Sequence, residues 1–361
     1  MYLTLLSINF DWLLLIEKAV LISIIISVSL LVAMYETWGE RKVAAIMQDR
    51  RGPNRAGPGG LFQPLADGLK LFAKEEIIPT SSNRLLFVLG PGLAMLTAMM
   101  TSAVVPWGSH FDLFGRHISL QIADVNIGIL YIFGVVSMGV YGIMIGGWAS
   151  NNKFSLLAAI RGASQIISYE LAMGISIIAL LMITGSLSLK TIVEQQQTGH
   201  YYVLLQPLGF LIFLICAFAE CNRTPFDLSE AENELNFGYH QEYSSMKLGF
   251  YLFAEYVNMF ISSAVMATLY WGGYDVPFLN DAAFAQAHAH GQNLLATLQV
   301  VSLFGKIVCF IFFFMWVRWT IPRFRYDQLM KLGWKILIPL ALFNMLVTGF
   351  LVLLKQNHWH F

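Results

Sequence analysis

Residues 125–148 read VNIGILYIFGVVSMGVYGIMIGGW, 24 positions without one charged side chain. As an α-helix rising ~1.5 Å per residue, such a run reaches about 36 Å, enough to cross a hydrocarbon core about 30 Å thick. Inside hydrocarbon only the segment's own hydrogen bonds can satisfy backbone amides and carbonyls, so the run reads as a transmembrane helix. Seven further runs repeat the pattern: Trp12–Met34, Leu85–Val105, Ile166–Ile183, Tyr202–Ala219, Leu248–Trp271, Leu294–Val317 and Ile336–Leu354. Trp12, Trp107, Trp148, Trp271, Trp316 and Trp334 fall near run ends, where amphipathic rings sit at headgroup level.

Composition excludes a soluble fold. The chain is 57% hydrophobic and only 12% charged, with a mean hydropathy of +0.62. Soluble domains carry roughly a quarter charged residues, so an aqueous surface could not be covered here. The expectation is a single all-α integral membrane domain over residues 1–361. Lys+Arg and Asp+Glu balance at 22 each, so bulk charge argues for no nucleic-acid partner. Three cysteines are too few for a disulfide framework, and Cys216 and Cys221 lack the His or Cys companions of a metal site. The first run is long and has no basic leader, which reads as an uncleaved span rather than a signal peptide.

Orientation follows from the basic residues. The loops after the first, third, fifth and seventh runs hold seventeen Lys and Arg, and those after the second, fourth and sixth hold two, Arg116 and Lys190. That bias places the first set inside. The outside loops are plainer: AAFAQAHAH (282–290) offers His288 and His290 with no third ligand, and reads as solvated. No metal site is read anywhere.

The inside loops carry the unusual chemistry. Glu36, Glu40, Arg41 and Lys42 close the first span, and RRGPNRAGPGG (50–60) follows, a turn-rich segment whose Gly and Pro forbid a helix. Leu61, Leu65, Leu69 and Phe72 then share one helical face, with Asp67, Lys70 and Lys74 opposite. Such an amphipathic helix is too short and polar to span, so it lies at the interface. It serves either as a lipid-surface helix or as the wall of a cavity for an amphiphilic ligand.

Glu170, in AIRGASQIISYE (159–170), and Glu255, in FAEYVNMF (253–260), lie within apolar runs, as does Lys306. An intramembrane carboxylate is costly and by default marks a proton or ion pathway. The alternative is that Glu170 or Glu255 pairs with Lys306 to fix helix packing. The densest stretch is AECNRTPFDLSEAENEL (219–235). Glu220, Asp227, Glu230, Glu232, Glu234 and Glu242 fall within 23 positions that contain one Lys or Arg, Arg223. Mutual repulsion and desolvation raise carboxyl pKa values toward neutrality, where protons exchange. A solvated acidic loop is the other reading, against which stand the interleaved Pro225, Phe226, Leu228 and Leu235. Residues 317–335 alternate basic and aromatic side chains, as at a headgroup boundary or a docking face.

Together these motifs resemble the membrane subunit of respiratory complex I, known as the H subunit in bacterial NADH–quinone oxidoreductase and as subunit 1 in mitochondria. The resemblance covers nearly the whole chain: ERK (40–42), GPNRAGPGG (52–60), QPLADGLKL (63–71), KE (74–75), ISYE (167–170), AECNRTPFDLSEAENEL (219–235), EY (242–243) and RFRYDQLM (323–330). It implies about eight tilted transmembrane helices plus the interfacial amphipathic helix. It also implies a chamber admitting a quinone, ubiquinone or menaquinone, as substrate. FMN and iron–sulfur clusters would sit in partner subunits of the hydrophilic redox arm, with further partners in the membrane arm and lipid around the whole. Arg41, Arg51, Arg55, Asp67 and Lys70 resemble chamber-wall residues. Arg223 and Asp227 would hold the acidic loop, and Glu170, Glu220, Glu230, Glu232, Glu234, Glu242 and Glu255 would relay protons. The location implied is a bacterial plasma membrane, or the mitochondrial inner membrane. Rival readings are a hydrogenase membrane anchor, an ion-coupled transporter built on Glu170, Glu255 and Lys306, and a purely structural anchor.

Overall fold

The computed structural model describes residues 12–113, 116–230, 232–277, 279, 281, 284 and 291–356. His288 and His290 lie outside them. The long helices are α1 (Trp12–Met47), α3 (Arg84–Thr101), α4 (Gly128–Ala149), α5 (Lys153–Thr184), α10 (Ser245–Tyr270) and α11 (Gly291–Thr320). A last one is assembled from α12 (Tyr326–Lys331), a π-turn over Leu332–Leu337 and α13 (Ile338–Gln356). The described residues contain seven helical segments long and apolar enough to cross a membrane. Between them lie the amphipathic α2 (Gln63–Ala73), a β-hairpin of β1 (His110–Leu113) and β2 (Arg116–Ser119), α6 (Leu189–Thr198), α7 (Tyr202–Leu205), α8 (Pro207–Glu220) and α9 (Glu232–Leu235). The protein is an all-α integral membrane protein.

The helix ends are set locally. The Asn83 side chain accepts from the Leu85 and Leu86 amides to start α3, and Asn152 accepts from Phe154 to start α5, each filling an orphan donor of a first turn. Gly185, at φ 65°, closes α5 in the left-handed region where a side chain would be strained. The run 202–219, read as one span, is interrupted at Gln206: Pro207 opens α8, which is only 14 residues long.

α10 is the most enclosed of the long helices, and packs against α1, α3 and α11. Small residues let α3 and α4 approach closely: a Cβ on Gly142 would lie 2.8 Å from the Ala94 amide nitrogen. Close backbone approach of this kind is how helices gain contact where lipid supplies no hydrophobic drive. Tyr251 of α10 reaches across this seam and donates to the Gly142 carbonyl at 3.1 Å.

Candidate functional site: a groove beside buried charges

α1 buries a stripe of Leu21, Ile25, Ser29, Ala33, Glu36, Glu40 and Ala44. The steps of three and four put two carboxylates on the same face as the apolar residues, turned into the bundle. Beside that stripe, Met34, Thr37 and Arg41 of α1 form with α2 and α10 a groove of about 350 Å³. Its walls include Thr37 and Arg41 of α1, Asp67, Gly68 and Lys70 of α2, and Phe253 and Tyr256 of α10. Arg41 and Asp67 bridge α1 to α2 at 2.7 Å, and Gln63 donates to the other Asp67 oxygen at 3.1 Å. The amphipathic pattern of α2 is real, but the face that meets the groove is the polar one. Leu65, Leu69 and Phe72 point outward, with Leu69 68% and Phe72 70% exposed. Arg51 and Arg55 are exposed in the turn-rich segment and do not line the groove.

The acidic stretch is not a solvated loop. Every residue from Cys221 to Ser229 is buried. Gln165 of α5 donates to the carbonyls of Ala219 and Phe226, both at 2.7 Å, so one buried amide fixes both ends of the turn. Phe226 packs between Tyr169 and Phe324, and the Phe324 amide donates to the Pro225 carbonyl at 3.1 Å. This burial carries Arg223 and Asp227 inward. Arg223 lies 3.7 Å from Glu40 and 4.0 Å above the Tyr256 ring. Glu40 also meets Arg318 at 2.6 Å and accepts from the Tyr256 hydroxyl at 2.9 Å. Asp227 pairs with Arg323 at 3.0 Å. Burial, then the Glu230 carboxylate, push the Asp227 carboxyl up to about 7 against the pull of Arg323, Arg318 and Arg223.

From this cluster a polar path continues inward. Glu255 is buried, within reach of the charges of Glu230, Arg223, Asp227 and Arg318. Tyr239 donates to it at 3.4 Å. Burial, then the Glu255 charge, hold the Tyr239 phenol well above its usual range, so it stays a neutral donor. A cavity of about 40 Å³ touches Glu255, Tyr239, Tyr251, Asn222 and Glu220. A second, about 30 Å³, adjoins at Glu220 and Asn258. Spaces of that size have room for about two or three waters each. Glu220 in turn feels Glu170, whose carboxylate is hydrogen-bonded to Ser137. Glu242 accepts from Asn152 at 2.7 Å, and Glu234 pairs with Arg161 at 2.8 Å near the surface. Glu232 opens α9, and its side chain lies outside what is described.

Lys306 does not join the path. It donates to the carbonyls of Gly273 and Asp275, both at 2.8 Å, just past the end of α10. The Glu170–Lys306 and Glu255–Lys306 pairings that the sequence leaves open do not occur in this structure.

Sequence reasoning noted Glu36 and Glu40 at the end of the first span and Arg318 in the basic 317–335 segment but gave no role to them or to Tyr256, the residues clustered with Arg223. Glu36 is buried one turn before Glu40, with no hydrogen-bond partner for either carboxylate oxygen among the described residues. Their signal was available: Glu36 and Glu40 are four apart in a helix whose apolar stripe runs at the same spacing. The groove could cradle an amphiphile, and the buried carboxylates and waters could pass protons. Groups able to ligate a metal converge elsewhere, on the β-hairpin.

A sequence model of the family described as NADH dehydrogenase matches residues 19–349. The chain is 62% identical to the H 1 subunit of NADH-quinone oxidoreductase from Cytophaga hutchinsonii over 94% of this chain and 98% of that protein. It is 63% identical to the H subunit of the Flavobacterium johnsoniae NADH-quinone oxidoreductase over 94% and 95% of the two chains. With the corresponding H subunit of Flavobacterium psychrophilum the identity is 64%, over 94% and 98%.

Proposed function

Because the chain belongs to the family of NADH–quinone oxidoreductase H subunits, we propose that the groove between α1, α2 and α10 admits the quinone and that the buried carboxylates link its reduction to proton movement. A chain of this family is one subunit of a membrane-bound enzyme and is not catalytic alone. Electrons would arrive from partner subunits carrying FMN and iron–sulfur clusters, since this chain contributes groove and acids. The turn-rich 50–60 segment and the basic 317–335 segment, on the side the charge bias places inside, would receive the hydrophilic arm. The opposite flank of the bundle would meet the membrane arm and lipid.

Reducing a quinone to a quinol takes two electrons and two protons. The protons need donors that exchange near neutral pH and a water-bearing route to replace them. Glu40 sits behind the groove wall, reached through the Tyr256 hydroxyl at 2.9 Å, with Glu255, Glu230 and Asp227 beyond it and Glu220 and Glu170 further in. As charge develops on the quinone, Arg223 and Arg318 can redistribute between it and Glu40, which alters the field on the next carboxylate. One residue carries this reading: Tyr256 lines the groove while its hydroxyl donates to Glu40 at 2.9 Å and its ring carries Arg223 at 4.0 Å.

Gly68 offers the test. A Cβ there meets nothing within 4 Å, and leucine favours a helix over glycine, so Gly68→Leu should assemble while projecting into the groove. Reduction of long-tailed quinones should fall at least about tenfold, the scale of misfit in an apolar site. NADH oxidation by a soluble artificial acceptor should be untouched, and Leu69→Ala on the outward face should leave both activities unchanged. Undiminished quinone reduction in Gly68→Leu would place the quinone elsewhere.

A further inference from the structure

At the far end of the molecule from the acidic loop, the hairpin pairs Asp112 with His117 and His110 with Ser119. Alternation along a strand sends residues two apart to the same face, and cross-strand partners share it. His110, Asp112 and His117 therefore face one way. One ligand atom from each lies within 4.8 Å of the others, and the two imidazoles stand edge-on, 5.5 Å between centres at 79°. Asp112 already contacts a ring nitrogen of His117.

The platform is fixed. The Asp112 amide donates to the Asn293 side-chain oxygen at 2.8 Å, and the Asn293 amide group donates back to the Asp112 carbonyl at 2.9 Å. The Ser109 amide donates to Gln299 at 3.0 Å. These contacts tie Asp112 and the residue preceding β1 to α11, so the strand that carries His110 and Asp112 is fastened on both sides of His110. Ligand sites need this support from the surrounding shell.

The geometry points to a binding site for a divalent first-row transition ion of the zinc type, held by His110, Asp112 and His117 with water completing the shell. Two imidazoles and a carboxylate suit zinc and its neighbours and discriminate against magnesium and calcium, which prefer all-oxygen shells. Ligands at about 2.0–2.1 Å from one ion stand at most about 4.2 Å apart. Closing the present spread therefore takes a shift at one side chain, and His117, 77% exposed, can make it. A bound ion would cross-link the strands and lock the segment between α3 and α4 onto α11. Nothing in this site depends on the quinone assignment.

The test uses the assembled complex in membranes, stripped with chelator and titrated with zinc chloride. At micromolar free zinc the wild type should take up one equivalent more than His110→Gln/His117→Gln, with excess magnesium present. Its zinc-edge spectrum should show imidazole nitrogen at about 2.0–2.1 Å. His117→Gln alone, at an exposed position that leaves the fold intact, should weaken binding at least tenfold, and Asp112→Asn likewise. Quinone reductase activity should be unchanged in these variants, which reports that they assemble. Equal zinc uptake by wild type and the His117→Gln variant would overturn the site, as would an extra equivalent that magnesium displaces or that appears only at millimolar zinc.

Discussion

Arg223 and Lys306 are both cations packed among the helices, and the protein satisfies them in opposite ways. Lys306 rests on the carbonyls of Gly273 and Asp275 beyond the end of α10. These are fixed dipoles at a helix C-terminus, where positive charge is favoured, with the Asp275 carboxylate in electrostatic range. Arg223 is held by the Glu40 carboxylate and the Tyr256 ring, with Glu230 and Glu255 in range. Its surroundings change whenever one of those acids gains or loses a proton. Lys306 is hydrogen-bonded to dipoles and feels the Asp275 charge, whereas Arg223 contacts Glu40 and is coupled to the protonation of several acids. That difference separates the groove end of the molecule from the far end more sharply than burial does.

The largest expected effect comes from removing the coupled cation. Arg223→Met leaves Glu40 with Arg318 and the Tyr256 hydroxyl but takes a buried cation from among Glu40, Glu255 and Glu230, and breaking a buried pair costs about 3–5 kcal/mol. Assembled complex on native gels should drop severely, and adding Glu40→Gln should recover part of it. Normal assembly of the single variant would show that the pair matters less than its geometry suggests. Lys306→Met should act more mildly. It forfeits charged hydrogen bonds worth about 1.5–3 kcal/mol but keeps the apolar stem, so melting of the complex should move down while proton uptake per quinone reduced stays unchanged. A loss of coupling in that variant would erase the contrast.

The smallest effect is a pH dependence at Asp227. Its carboxyl is raised to about 7 by burial and Glu230, from an ordinary value near ~3.9. The folded loop therefore holds a proton that the unfolded chain releases earlier. The stabilising contribution is complete below about 4 and is lost as pH rises through about 7. Hydrogen exchange of the 222–230 amides should accelerate between about pH 6 and about pH 8, and Asp227→Asn should flatten that rise. A profile identical in wild type and variant would assign the dependence to another group.

Much of this was legible in the sequence. Uncharged runs such as 125–148 announce helices through hydropathy alone, and Pro225, Phe226 and Leu228 among the carboxylates signal that the acidic stretch is not left in water. The rest depended on contacts between distant segments. Glu40 and Arg223 meet across distant segments, with Gln165 holding the loop against α5, and no local pattern encodes that. The two faces of α2 were readable, but which one meets the groove depends on where α10 lies. Lys306 turned to backbone carbonyls, which carry no sequence signature. The break at Gln206–Pro207 was marked by the proline, yet hydropathy runs straight across it. His110, Asp112 and His117 fit the period of a strand, a spacing that a reading keyed to long apolar runs passes over.

The claim that matters most is that the buried acids carry protons rather than hold helices together, and Glu255 tests it most directly. It is buried on α10 between the Arg223 cluster and the water-sized cavity. Glu255→Gln keeps its volume and its partner Tyr239 while removing the exchangeable charge. NADH-driven quinone reduction and proton uptake should be measured together in closed vesicles, normalised to assembled complex. Both should fall at least about tenfold, the lower range of acid–base effects, with assembly and NADH oxidation by a soluble acceptor preserved. Full coupled activity in a normally assembled Glu255→Gln complex would contradict the relay.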